Sequence, residues 1–397
     1  MKKILRYLFH RDHFIVLLSG IILLVLLRVI TVNITFLNPI ANAIDDFSVT
    51  DIFFEIQHDE SKAKINDMIT LVDMTELNDR GDIAILLQEI NSCDPLVIGV
   101  DIIFEGKKDN MLANEMLLEA VNTLGDKAVY SQKLVDYNSD NEAFARSVHS
   151  FFTDEAPIIE AYVNLNDDME GKRIRDFSIK QRLVDNTVLS FPATIAARFN
   201  NSVQQLGCDN LLINFKNETF PVVKHDEIME KAELIKGHII LVGTMLEEQD
   251  MHNTPLGKMP GLELQAYSTL TLLEQKVIRK TPRWIDWMIA LLVCYLMEIT
   301  LDLVWQFVKK RVYSGICVFI KESNIVSIIL LFIWMAVVCW TMFIVFVKCS
   351  IIINGGLILA MMALTCEGRD ILIAIVKGLR AKFKDNKLIS DALLREI

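Results

Sequence analysis

The chain has 397 residues, 52% of them hydrophobic, and a formal net charge of −11. Between Leu37 and Arg283, 41 acidic residues stand against 23 basic ones, a net −18, so the rest of the chain is net positive. A segment this acidic is a poor partner for nucleic acid, whose phosphates need a basic face, or for an anionic lipid surface; its charge serves solubility. Of seven cysteines only Cys93 and Cys208 fall in this segment, and no Cys-x-x-Cys spacing points to a metal or redox site. They suit one disulfide or two unpaired core thiols.

The first apolar span, residues 13–30, approaches the ~20 residues that a bilayer crossing requires. Ala41-Asn42-Ala43 has the form of a signal-peptide cleavage site but lies well beyond the apolar core, so the span reads as a signal anchor. Residues 37–283 then form one large domain. Met68–Val72 is expected to be a buried strand ending in Asp73, and Ile83–Ile90 a helix on the spacing of Ile83, Leu86, Leu87 and Ile90. Leu96–Phe104, apolar except for Gly99 and Asp101, suits a strand buried on both faces. A helix over Asn114–Leu124 and a strand over Lys127–Ser131 complete a β-α-β-α-β order, which predicts an α/β domain with a mainly parallel sheet.

Farther on, strands are expected at Pro157–Val163, Leu211–Phe215, Thr219–Val222 (with Asn217 in the turn between the last two) and His238–Val242. Asn164–Asp176 reads as a loop or hairpin, and helices are expected at Ser190–Phe199 and Gly261–Gln275. Three apolar spans follow, at 285–305, 325–347 and 351–366, giving four transmembrane helices in all. Lys2, Lys3, Arg6 and Arg11 precede the first span. Lys309, Lys310, Arg311 and Lys321 lie in loop 306–324, and Arg369 to Lys387 in tail 367–397. Basic flanks mark the cytoplasmic side, so the N-terminus 1–12, that loop and the tail are expected there and the acidic domain outside.

Three segments taken together resemble the CHASE type 2 domain, an extracytoplasmic sensory domain of bacterial receptors. They are I-T-L-V-D-M-T (Ile69–Thr75) with Arg80 and Ile83-Ala84, then L-V-I-G-V-D-I-I-F-E (Leu96–Glu105), then I-K-G-H-I-I-L-V-G-T (Ile235–Thr244) with D-M-H-N-T-P-L and M-P-G-L-E-L-Q-A up to Ala266. The resemblance spans about Asp51–Leu273, and the order of one span before and three after also matches. Thr75–Asp79 lacks the Trp-Pro turn usual before the arginine matching Arg80. The family often carries a cytoplasmic cyclase, kinase or phosphatase; with residues 367–397 after the last span, the resemblance implies output through a separate effector in a bacterial inner membrane.

Asp73 and Asp101 stand at or near the carboxyl ends of expected parallel strands, where open α/β sheets hold ligands. If those strands are neighbours, the two acids, with Arg80, could bind a cation or polar ligand. The alternative has Asp73 capping the following segment and Asp101 pairing with an internal arginine. Asp250, His252, Asn253 and Thr254 form a polar loop that suits an acid–base pair or half a divalent metal site, or a loop pinned by its own hydrogen bonds. No G-x-S-x-G, P-loop or H-E-x-x-H motif occurs, so neither catalysis nor a cofactor is expected.

Glu298 and Asp302 share a helix face near the cytoplasmic end of the second span, where headgroup-level placement would accommodate them. Gly355-Gly356 would allow close helix packing. Lys377, Arg380, Lys382, Lys384 and Lys387 suit anionic lipid or docking of the effector. The expected function is a membrane sensor component, with a structural envelope subunit as the rival and a divalent-dependent hydrolase as a third reading. The oligomeric state stays open, a homo-oligomer included.

Overall fold

A computed structural model describes residues 10–33, 51, 54–56, 58–165, 173–184, 186–199, 203, 210–246, 250–274, 278–311 and 325–382. The chain divides into a unit of residues Asp51–Arg279 and a helical unit formed by the segments on either side.

In the central unit the strands are β1 (Lys64–Ile65), β2 (Ile69–Asp73), β3 (Val97–Val100), β4 (Ala128–Asn138), β5 (Ala143–Val148), β6 (Ile159–Tyr162), β7 (Asp176–Ser178), β8 (Lys180–Leu183) and β9 (Asn186–Leu189). After them come β10 (Asn210–Leu212), β11 (Glu218–Thr219), β12 (Val222–Lys224), β13 (Ile239–Gly243), β14 (Met251–Thr254) and β15 (Gly257–Pro260). The main sheet runs β12-β2-β13-β3-β4, with parallel pairing at every step and β6 parallel on β4. The long β4 continues past the sheet and pairs antiparallel with β5, to which β8 and β9 attach.

One face of the sheet carries α2 (Arg80–Ser92) and α3 (Met111–Leu124). Asp79 caps α2 by accepting the Gly81 amide at 2.7 Å, and Asn110 caps α3 by accepting that of Ala113 at 3.2 Å. Ile83, Leu86, Leu87 and Ile90 of α2 and Leu117, Ala120 and Val121 of α3 are buried against Val72, Ile98, Val100, Ile240 and Val242. Sheet residues of the opposite parity meet α4 (Phe191–Ala197) and α5 (Gly261–Leu273). Gly99 belongs to that parity, and a Cβ there would stand 2.7 Å from Phe191 Cζ and 2.8 Å from Ile195 Cδ1. The missing side chain lets α4 lie directly on β3. Helix α5 is buried almost all round, and the hydroxyls of Ser268, Thr269 and Thr271 return to carbonyls one turn back at 2.8 Å.

Several expectations are corrected. Strand β3 ends at Val100 instead of running to Phe104, because the Phe104 backbone turns away to bond Ser150 Oγ and Phe151. The segments around Asn217 are not a hairpin: β10 pairs with β7, β11 with β1 and β12 with β2. The polar segment Asp250–Thr254, expected as a loop, instead supplies β14 of the antiparallel hairpin β14–β15. Cys93 is a buried free thiol, and Cys208 lies outside the described residues.

The other unit contains α1 (Arg11–Asn33), α6 (Arg283–Arg311), α7 (Ile325–Cys349) and α8 (Gly355–Lys382). Two stretches after the central unit, Arg283–Val308 and Ile325–Cys349, are long and apolar enough to cross a membrane. Ala290, Cys294 and Met297 of α6 pack with Val338 and Met342 of α7 and with Ile358, Met361 and Met362 of α8. Helices α1 and α8 touch almost backbone to backbone: a Cβ on Gly20 would meet Thr365 Cα at 3.0 Å, and one on Gly368 would meet Gly20 N at 3.2 Å. The expected span 351–366 falls largely within α8, which continues to Lys382 without a break. Lys377, Arg380 and Lys382 therefore stand on this helix, while Lys384 and Lys387 lie outside the described residues.

Candidate functional site

Insertion of β13 between β2 and β3 separates the two strand-end acids. Gly243, the last residue of β13, is in register with Asp73, and a Cβ on it would stand 3.4 Å from Asp101 Cβ. Asp73 turns to its own chain: its Oδ1 accepts from the Thr75 amide at 3.0 Å and the Thr75 hydroxyl at 2.5 Å. Thr75 Oγ1 accepts in turn from the Met245 amide at 3.0 Å, so Asp73 pins the loop that follows β13. That is the capping alternative.

Arg80 is only 3% exposed and serves another loop. It donates from Nη1 to Asn114 Oδ1 at 2.7 Å and from Nη2 to the Glu105 carbonyl at 3.0 Å, and its guanidinium lies 4.7 Å from the Phe151 ring centroid. Burial holds its pKa below the usual arginine range. It forms no ion pair with Asp101 among the described residues, and no arginine is among the groups that act on the Asp101 charge, so the expected pairing of Asp101 with an internal arginine is corrected. Arg80→Met should destabilise the domain by about 2–3 kcal/mol, because Asn114 and the Glu105 carbonyl lose a charged donor. Lysine should not restore it, since one ammonium cannot bridge both acceptors while stacking on Phe151. Thermal unfolding of both variants checks this, and a wild-type melting temperature for Arg80→Lys would refute the bridging role.

Asp101 is the acid around which other candidates gather. Its Oδ1 accepts from Ser131 Oγ of β4 at 3.1 Å, and its backbone amide bonds Val242. The groups that act on its charge are Asp250 and His252. Desolvation, reinforced by the Asp250 carboxylate and opposed by Ser131 and His252, raises its carboxyl to about 7. His252 Nε2 lies 3.4 Å from Asp250 Oδ1. A Cβ on Gly261 would stand 2.6 Å from that same oxygen, so the Asp250 carboxylate sits on the first turn of α5, where the helix dipole favours an anion. Thr254 stays within its own turn, donating to the Gly257 carbonyl at 2.8 Å and accepting the Leu256 amide at 3.1 Å.

The structure thus brings Asp101, Asp250 and His252 together at the start of α5 and assigns Asp73, Arg80 and Thr254 to loop geometry. Among the described residues no group of three His, Cys, Asp or Glu side chains is arranged to hold a metal ion. Ser131 and Asn114 escaped sequence reasoning; Ser131 alone carried a signal, as a polar residue at the carboxyl end of an expected strand.

Glu298 is fully buried in the helical unit and pairs at 3.4 Å with Arg369 of α8, itself 4% exposed. It therefore faces the interior of the bundle and not its outer surface. Asp302, one turn on, accepts from Gln306 at 3.2 Å.

A family model for the CHASE2 domain matches residues 21–301, well beyond the segments that carry the sequence resemblance and into α1 and α6. Neither the curated proteins nor the solved structures give a match. With most of its length covered by that match, the chain belongs to the CHASE2 domain family, a family of sensory domains.

Proposed function

We propose that this protein is a transmembrane sensory component of a bacterial inner membrane, with four crossings, a periplasmic CHASE2 domain and both termini in the cytoplasm. The basic flanks of the apolar segments support this orientation. The signal is received around Asp101 and is passed on through a separate cytoplasmic effector, without catalysis by this chain.

The observation that carries the reading is the continuity of one path. Hairpin β14–β15 places Asp250 and His252 beside Asp101 and runs directly into α5, and residues 274–282 alone separate α5 from α6 along the chain. A change in the charge or position of the hairpin is therefore applied to the helix that leads into the membrane. Such a signal requires different ligand affinities in two states of the domain.

The effector side is tested by affinity capture of the intact protein from membranes, compared with a variant in which Lys377, Arg380 and Lys382 are replaced by Glu. All three lie in the last turns of α8, so the helix is retained. Loss of a specific partner from the variant is the expected result. Recovery of the same proteins with both forms would exclude these residues as the output.

A further inference from the structure

The tip of the β14–β15 hairpin forms one wall of a cleft of about 620 Å³, lined by Asn253, Thr254, Gly257 and Lys258 on that side and by Glu55, His58 and Arg173 on the other. The volume lies within the range of small-molecule sites. Its charge is the reverse of its surroundings: Arg173 and Lys258 face one carboxylate, Glu55, in a domain that carries a large acidic excess.

Each lining group is held differently. Asp51, buried and bonded by Arg175 at 2.9 and 2.6 Å, also takes Arg173 Nη1 at 3.1 Å. The anchored Arg173 side chain remains 49% exposed. His58 lines the cleft, with its Nδ1 buried and without a hydrogen-bond partner among the described residues. Lys258 is exposed on the hairpin and makes no ion pair among the described residues. Its backbone is in register with Asn253, and its strand continues through Pro260 into α5.

We infer that this cleft binds a small oxyanion carrying at least two negative charges, a carboxylate or phosphate compound, between Arg173 and Lys258. The inference rests on the sensory reading and names its ligand class. Arg173 is the fixed contact and Lys258 the contact on the hairpin. Drawing Lys258 toward Arg173 would therefore pull on the same hairpin whose base bears Asp250 and His252.

The test uses the intact protein in detergent, with its melting temperature followed during titration with inorganic phosphate and, separately, with succinate, against sodium chloride at matched ionic strength. A saturable rise with at least one of the two anions and none with chloride is expected, with apparent affinity falling at least tenfold in Lys258→Glu and in Arg173→Gln. Lys258 is exposed, so its substitution leaves the fold intact, and the unliganded melting temperature confirms this. No saturable shift with either anion, or equal affinity in the wild type and Lys258→Glu, would overturn the site. The titration needs no effector, so a negative result leaves the capture experiment and its reading standing.

Discussion

Replacing Asp101 by Asn should remove a fall in stability expected of the wild-type domain between about pH 4 and pH 7. The Asp101 carboxyl is raised from 3.8 to about 7 in the fold, by desolvation first and by Asp250 second. A raised acid binds its proton more tightly folded than unfolded, so its effect on stability is unfavourable at high pH. Below the unfolded value both states are protonated and nothing is lost. Stability then falls as pH rises through the window, and above about pH 7 both states are ionised and the loss is complete. Three units at about 1.4 kcal/mol each set a ceiling of about 4 kcal/mol, and partial solvent contact reduces the expected loss to about half of that.

Asparagine keeps an oxygen for the Ser131 hydroxyl and carries no charge. Asp101→Asn should therefore match the wild type near pH 3.5 and be the more stable form at pH 8, by about 2 kcal/mol. Thermal unfolding of the intact protein across this range measures the difference. A constant gap between the two proteins at all pH values would show that the fold does not raise the Asp101 carboxyl. Asp250→Asn supplies an independent arm: with the neighbouring carboxylate removed, the window should narrow from its upper end.

The β-α-β-α-β order from β2 to β4 was legible because each element has its own apolar period, with Ile83, Leu86, Leu87 and Ile90 on one side of α2. The position of β13 was not legible. Its apolar run is like those of β2 and β3, and strand order depends on which edges the crossovers leave open, which no local period records. The candidate site followed from that order. Asp73 and Asp101 look alike in sequence, yet β13 parts them and brings Asp101 to Asp250 and His252 instead. Strands β5, β8 and β9 were missed because their burial is shallow and their polar residues hide any alternation. Arg80 illustrates the same limit, since an arginine near a strand-end acid looks like a ligand contact until its partner Asn114 arrives from another helix.

Glu298→Ala should cost the helical unit about 3–5 kcal/mol, the usual consequence of leaving one member of a buried ion pair alone. Arg369 would then remain a cation at 4% exposure without the carboxylate it meets on α6. The pair itself is weakly supported: neither Glu298 oxygen nor Arg369 Nη1 has a hydrogen-bond partner among the described residues. A pair without such support does not repay its desolvation, so Glu298→Met combined with Arg369→Met should recover most of the stability lost in either single variant. The yield of monodisperse protein and its thermal unfolding give the readout, and a double variant no better than the worse single one would exclude the pairing. The recovered double variant also separates structure from signalling. Helix α6 is the first to follow the sensory domain along the chain, and α8 carries Lys377, Arg380 and Lys382 beyond Arg369. A stable bundle that retains its partner but no longer responds to the signal would identify the pair as the connection between them, because apolar packing supplies cohesion without the directional hold of two opposite charges.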